Sequence, residues 1–530
     1  MTGVRKSFAS VMLAVGGVLL QPMGRAAAQS APTGTVDAAF KQFWDARNPQ
    51  EAAKAAEGVE MSGVGFDEAL ARLKRGRTYS SQVPRGVVRL NHRTAAGDFW
   101  YTLDVPETYD PARAYQVRVQ LHGGVMLRDE GSPRGAGSIG ALAGADQIYV
   151  IPSGWKDAPW WSDAQIESLR VILDSVKRTY NVDENRVALA GVSDGGTGAY
   201  YFAMRDTTPF ASFLPLNGFI MVLRSELLEI RGELFPNNLL NKPFFVVNGG
   251  LDRLYPAVMV EPFVQHLQRG GVDLVYRPQP SAGHNTAWWP EVKDSFETFV
   301  RGHPRDPLPA KLTWETDQTA LRNRAHWLVI DTLGTPRDAA ALPDLNRFVA
   351  GPLMNFGIRS SGTRITLLIE GSNAGRFGLL AGDVVVRVND RMVPSDTDLL
   401  EWLSTYKPGT PLEILVSRDN EPVELSGVVE PGATTPSTLP LFEHTRPSGR
   451  VDVAREGNAV RATTRGVAEF TLLLSPGAFD FARPITVVAD GRTVFDGRVE
   501  RSVATLMKWA ARDNDRTLLF GAEIHVTLAP

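Results

Sequence analysis

The apolar positions between residues 86 and 305 fall into short runs of strand character separated by longer stretches at helical spacing. Val87 to Leu90 and Phe99 to Val105 predict a hairpin, and Tyr115 to Leu121 and Gln147 to Ile151 predict a third and a fourth strand. Ile166, Leu169, Ile172, Leu173 and Val176 recur on one side of a helix predicted over Ser162 to Tyr180. Arg186 to Ala190, Phe213 to Leu216, Phe244 to Val247 and Val272 to Tyr276 are short apolar runs, as strands covered on both faces require. Helices are predicted over Val258 to Gln268 and Glu291 to Val300. This alternation predicts an α/β fold class, a doubly wound and mostly parallel sheet with helices on both faces.

Other patterns flank this region. Residues 29–85 read as a helical N-terminal segment, with Phe40, Phe43, Trp44, Phe66, Leu70 and Leu73 forming a stripe suited to packing. Pro304 to Pro309 marks a boundary. Residues 306–344 read as a linker with the first strands of a β-rich domain, Lys311 to Glu315 and His326 to Thr332. Residues 345–432 form a separate, glycine-punctuated unit, and Glu430 to Pro440 is a Pro/Thr-rich linker. Residues 433–530 read as a C-terminal β-rich domain with one helix over Val503 to Arg512. Trp314, Trp327 and the strands after Val451 then belong to one sandwich, with the unit 345–432 inserted into it.

The N-terminus predicts export. Arg5 and Lys6 precede an apolar core from Val11 to Leu20, too short to span a bilayer, and Ala26-Ala27-Ala28 offers a cleavage site. Residues 1–28 are therefore read as a signal peptide, leaving no membrane span in the mature chain and a bacterial periplasmic or secreted location. The chain has no cysteine. That removes disulfides, thiol catalysis and thiolate metal sites from consideration. A hydrophobic fraction of 43% with 22% charged residues is ordinary globular material, and a net charge of -3 without a long basic run argues against nucleic-acid binding.

The chemistry concentrates at Gly191-Val192-Ser193-Asp194-Gly195. This G-x-S-x-G stretch follows a predicted strand and runs into a predicted helix, Gly196 to Met204, the context of a nucleophile elbow. A serine nucleophile needs a base, and the base needs an orienting carboxylate. Asp252 follows the strand Phe244 to Val247, at the strand end where α/β sites assemble, although turns and caps also place aspartates there. His284 lies in Ser281-Ala282-Gly283-His284-Asn285, after the last strand. Its rivals are less suitable: His122 precedes the serine, His92 lies in a hairpin and His266 in a helix. The oxyanion donors expected are the N–H of Asp194 and that of Gly123 or Gly124, after the third strand. Gly135 to Gly140 matches G-x-G-x-x-G but follows a polar segment, so no dinucleotide site is expected there. No metal site and no cofactor are expected. The pairs Trp160-Trp161 and Trp288-Trp289 lie beside these segments and are open to two readings, lining a pocket or packing against the sheet.

Residues 86–305 resemble the α/β-hydrolase superfamily, and within it the polyhydroxybutyrate depolymerase and feruloyl esterase type. The resemblance rests on Leu121-His122-Gly123-Gly124, on Tyr180 to Val187 leading into the elbow, on Asn248-Gly249-Gly250-Leu251-Asp252, and on Gly283-His284-Asn285. It implies cleavage of a small-molecule ester by a Ser-Asp-His triad, here Ser193, Asp252 and His284. That family commonly has Asn after the nucleophile, where this chain has Asp194. Serine peptidases of the prolyl oligopeptidase type share the triad order, so a peptide substrate is an alternative, as is an inactive scaffold with a blocked pocket. Residues 345–432 resemble a bacterial PDZ domain through Asn355-Phe356-Gly357-Ile358, Gly378 to Asp390 and Lys407-Pro408-Gly409. This resemblance implies a carboxylate loop at Asn355, Phe356, Gly357 and Ile358, with a peptide C-terminus in the adjoining groove.

Overall fold

The computed structural model describes residues 33–94, 96–127, 129, 146–335, 343–349, 356–368, 371–394, 399–404, 406–431 and 438–528. Residues 1–28, read as a signal peptide, the Gly135 to Gly140 pattern and Asn355 lie outside the described residues.

Three helices open the described chain: α1 (Thr33–Asp45), α2 (Pro49–Met61) and α3 (Phe66–Arg75). The sheet strands that follow are β1 (Gly86–Thr94), β2 (Gly97–Val105), β3 (Tyr115–Leu121) and β4 (Ile148–Pro152). Next come α4 (Asp163–Thr179), β5 (Val182–Val192), α5 (Asp194–Arg205), β6 (Ser212–Leu216), β7 (Phe244–Gly249), α6 (Ala257–Arg269), β8 (Leu274–Gln279) and α7 (Trp289–Gly302). The eight strands form one sheet in the order β1-β2-β4-β3-β5-β6-β7-β8. Only β1–β2 and β2–β4 pair antiparallel; the remainder is parallel. Side-chain alternation divides the sheet cleanly. On β5, Val187 and Leu189 join the core formed with α4, α5 and α6. Ala188 and Ala190 face the opposite side, where Val292, Phe296 and Phe299 of α7 pack. The same α7 side holds a buried ion pair, Arg118 to Glu297 at 2.9 Å, which ties α7 to β3.

Beyond α7 the chain starts a second body with β9 (Lys311–Thr316), β10 (Arg324–Ala325) and β11 (Leu328–Leu333). It then leaves through β12 (Arg347–Val349) into the unit built of β13 (Ile358–Ser361), β14 (Arg364–Leu368), α8 (Asn373–Arg376), β15 (Val384–Val388), β16 (Arg391–Met392), α9 (Leu399–Ser404), β17 (Pro411–Arg418) and β18 (Glu421–Val428). The return strand β19 (Thr438–Pro440) pairs antiparallel with β12, so the stretch read as linker ends in a two-stranded stem. Phe348 of this stem stacks on Phe263 of α6 at 4.5 Å.

The second body finishes with β20 (Gly449–Glu456), β21 (Ala459–Arg465), β22 (Val467–Leu474), β23 (Ile485–Ala489), β24 (Arg492–Gly497), α10 (Val503–Asp513) and β25 (Ala522–Thr527). One sheet runs β24-β23-β21-β20-β9 and the other β10-β11-β22-β25, with a shared core that includes Trp314 and Trp327. Helices α1 to α3 bury Phe40, Phe43 and Leu73 against Leu506, Met507 and Ala510 of α10. Their contacts with the sheet domain, such as Arg178 to the Ala46 carbonyl (2.8 Å), fall at the end of α4 that leads into β5. The helical segment therefore sits at the amino ends of the strands and does not cover the carboxyl ends.

Candidate active site

Ser193 closes β5 and caps α5 with φ 56° and ψ −119°. A non-glycine residue in this region carries roughly 1–3 kcal/mol of strain, which surrounding contacts must hold. Here the Ser193 N–H donates to the Leu216 carbonyl (2.9 Å), and the Ser193 carbonyl accepts from Thr197 N–H (3.0 Å). The turn needs glycine at 195, since a Cβ there would lie 2.3 Å from the Leu121 carbonyl oxygen. It also needs glycine at 123, where a Cβ would lie 2.9 Å from Ser193 Cβ and 3.5 Å from its Oγ. That approach places the loop after β3 directly beside the serine hydroxyl.

The structure brings the three sequence-selected side chains together. Ser193 Oγ and His284 Nε2 are 2.8 Å apart, and His284 Nδ1 and Asp252 Oδ2 are 2.7 Å apart. With Nδ1–H donating to the carboxylate, Nε2 is the free acceptor facing the hydroxyl. Asp252 is buried, while its other oxygen accepts from the N–H groups of Leu254 (2.8 Å) and Tyr255 (3.0 Å). Burial alone would raise the Asp252 pKa, but the His284 hydrogen bond and the two backbone donors outweigh it and hold the carboxyl below its ordinary value. Tyr255 stands edge-on to the His284 ring at 5.7 Å. Burial, with the nearby Asp194 and Asp252 carboxylates, pushes its phenol up to about 12, so it is a neutral wall of the site.

The segment after β3 is braced by residues that sequence reasoning set aside. His122, passed over as a base, accepts from Gly154 N–H at Nε2 (3.0 Å) and lies 3.0 Å from the Gly123 carbonyl through Nδ1. Trp160 Nε1 donates to the His122 carbonyl (2.7 Å). The Asp194 carboxylate accepts from Val125 N–H at 2.8 Å, joining the elbow to the loop that carries Gly123 and Gly124. Gly124 has φ +68°. Trp160, Trp161, Trp288 and Trp289 are all buried, which selects packing over pocket lining for both tryptophan pairs. Among the described residues, no His, Cys, Asp and Glu side chains gather as a metal site would require, and no helix is long and apolar enough to cross a membrane.

In the inserted unit, Phe356 is buried and stacks on Phe377 at 5.8 Å, and its carbonyl accepts from Ala374 N–H (3.0 Å). Gly357 has φ 58°, and Ile358 begins β13, one of the edge strands of its sheet.

A family model described as PDZ domain matches residues 356–427. Among solved structures the chain is similar to a thermostable esterase, at 20% identity and TM-score 0.32, covering 41% of this chain and 63% of that one. It is also similar to apo S-formylglutathione hydrolase (FrmB) from Staphylococcus aureus, at 18% identity and TM-score 0.32, covering 42% of this chain and 99% of that one. A third is a ferulic acid esterase, at 18% identity and TM-score 0.32, covering 40% and 97%. No curated protein matches the chain. By its strand order and its PDZ match, the chain joins an α/β-hydrolase fold to a PDZ domain set into a β-rich body.

Proposed function

We propose that this protein is an exported serine hydrolase that cleaves carboxylic esters. The observation that carries the reading is the unbroken relay from Ser193 Oγ through His284 to the buried Asp252. His284 Nε2 takes the hydroxyl proton as Ser193 attacks the ester carbonyl, and Asp252 stabilises the imidazolium that results. The N–H of Asp194, at the positive end of α5, and one from Gly123 or Gly124 receive the oxyanion. His284 returns its proton to the departing alcohol, leaving an acyl-Ser193. Water activated by the same histidine then releases the acid. The placement of α1 to α3 against α10, away from the strand ends that carry Ser193, favours an open ester site over a capped peptidase cleft. The PDZ domain would take a peptide C-terminus beside β13. Signal-peptide removal would leave the mature chain in the periplasm or the medium.

The test is a fluorophosphonate probe on the mature chain and on Ser193→Ala, with p-nitrophenyl esters and peptide p-nitroanilides as substrates. Labelling lost in the variant together with ester turnover supports the reading. Amide turnover alone would replace it with a peptidase, and a folded protein that takes no label would leave an inactive scaffold.

A further inference from the structure

A cavity of about 660 Å³ lies at the opposite end of the sheet domain from Ser193, between α1, α3 and the segment leading to β1. Its size falls within the range of small-molecule sites, roughly 300–1,000 Å³. Two half-buried aromatic side chains, Trp44 and Tyr79, line it together with Arg75 and Arg77, while Phe40 beneath them is buried under Arg72. The other cations on its wall are neutralised: Arg72 pairs with Asp37 (2.7 Å), Arg178 with Asp174 (2.7 Å) and Lys41 with Asp45.

Arg75 and Arg77 differ from these. Among the described residues, neither pairs with a carboxylate. Among the described residues Arg77 donates to two neutral acceptors, the Trp44 carbonyl (3.2 Å) and Asn514 Oδ1 (2.9 Å). Those two bonds fix the guanidinium plane and use two of its five N–H groups. Its carbon lies 5.3 Å from the centre of the Trp44 ring. The carboxylates nearby are engaged elsewhere, Asp174 by Arg178 and Glu184 by Arg516. Burial and the neighbouring Arg178 and Arg516 charges pull the Arg77 pKa down to about 10, against the opposing pull of Asp174.

We propose that this cavity is a second binding site, for an organic anion with a flat aromatic body. The carboxylate takes the free N–H groups of Arg77 and the charge of Arg75, while the ring lies against Trp44 and Tyr79. A planar guanidinium held in place suits a carboxylate in two-point contact. The site is independent of the chemistry at Ser193.

The experiment is calorimetric titration of the full mature chain with 1-naphthoate, beside the neutral 1-naphthylmethanol. Naphthoate should bind at one saturable site, and naphthylmethanol at least about tenfold more weakly. Arg77→Gln should weaken naphthoate about tenfold and Arg75→Gln about threefold, each with an unchanged circular dichroism spectrum. Arg75 is exposed, so its variant reports even if Arg77→Gln fails to fold. Absence of saturable binding, equal binding of the neutral analogue, or naphthoate affinity untouched by both substitutions would each overturn the proposal. Ester turnover in Arg75→Gln should stay at the wild-type level, which separates this site from the serine.

Discussion

The Asp194 carboxylate holds the Val125 N–H at 2.8 Å, so the residue after the candidate nucleophile clamps the loop that approaches the serine from the other side. A charged acceptor makes this bond stronger than a neutral one would. Asp194→Ala should release the loop and lower kcat for an ester about tenfold to a hundredfold, with a smaller change in KM. Asp194→Asn keeps an acceptor oxygen and should retain most of the rate. Steady-state kinetics on both variants check this, and equal losses in the two would show that charge, not positioning, is what the site uses.

Gly123 has no room for a side chain. An alanine there would put its Cβ 2.9 Å from Ser193 Cβ, displacing either the loop or the serine. Gly123→Ala should cost about a hundredfold or more in ester turnover while thermal unfolding moves little. Gly195→Ala should behave differently, since its Cβ would press on the Leu121 carbonyl oxygen at 2.3 Å inside the sheet, and a lowered melting temperature is expected. Paired melting curves and rates distinguish the two.

Asp252 should be needed for rate and should not set the acid limit of activity. Asp252→Asn should lower kcat by about four orders of magnitude by spoiling the His284 tautomer. The folded carboxyl lies below its ordinary value. Its stabilising contribution is therefore complete above the unfolded pKa of about 3.9 and is lost only as pH falls through the lower folded value. A pH–rate profile measured down to about pH 5 should show no inflection from this group.

His326 predicts a loss of stability in mild acid. It is fully buried, with Nδ1 3.0 Å from the Pro307 carbonyl and Nε2 unpartnered among the described residues. Burial and the adjacent Lys242, Arg305 and Arg324 push its pKa well below the ordinary value, so the folded state keeps it neutral. The unfolded chain takes up a proton below its pKa of about 6.5, and the folded state loses up to about 1.4 kcal/mol per pH unit from there. The melting temperature should fall between about pH 7.5 and 5.5. In His326→Asn, which suits the positive φ at this position, the fall should be smaller.

The stem of the PDZ domain should allow its excision. Val349 and Thr438 are paired across the β12–β19 ribbon. Removing residues 350–437 and joining the ends through Asn-Gly should close a hairpin and leave Phe348 stacked on Phe263. Ester turnover within about threefold of wild type is expected. A large loss would mean that the PDZ domain supports the sheet domain.

The regular elements were legible because their packing is periodic. Tyr115 to Leu121 and the stripe on α4 announce themselves through residues that are buried at strand and helix spacing. The elbow was legible because its glycines answer to sterics within a few residues. What the sequence concealed depends on contacts between distant segments. The brace formed by His122, Gly154 and Trp160 joins side chain to backbone across about 30 residues, and no spacing rule announces it. The tryptophan pairs were ambiguous for the same reason, since an aromatic residue beside a site reads alike whether it faces a ligand or a helix. The β12–β19 stem was hidden because its strands are three residues each, too short for a pattern.

One arrangement bears on how the chain comes to exist. Strand β9 follows the sheet domain and hydrogen-bonds along its whole length to β20. Its partner is made about 130 residues later, after the entire PDZ domain, so this pairing closes a long loop. During synthesis the eight-stranded sheet and then the PDZ domain can each close on themselves, while β9 waits with its apolar side uncovered. The β-rich body is therefore the last to assemble, and a chain truncated between β9 and β20 carries an unpartnered strand edge, an invitation to aggregation rather than a smaller working protein.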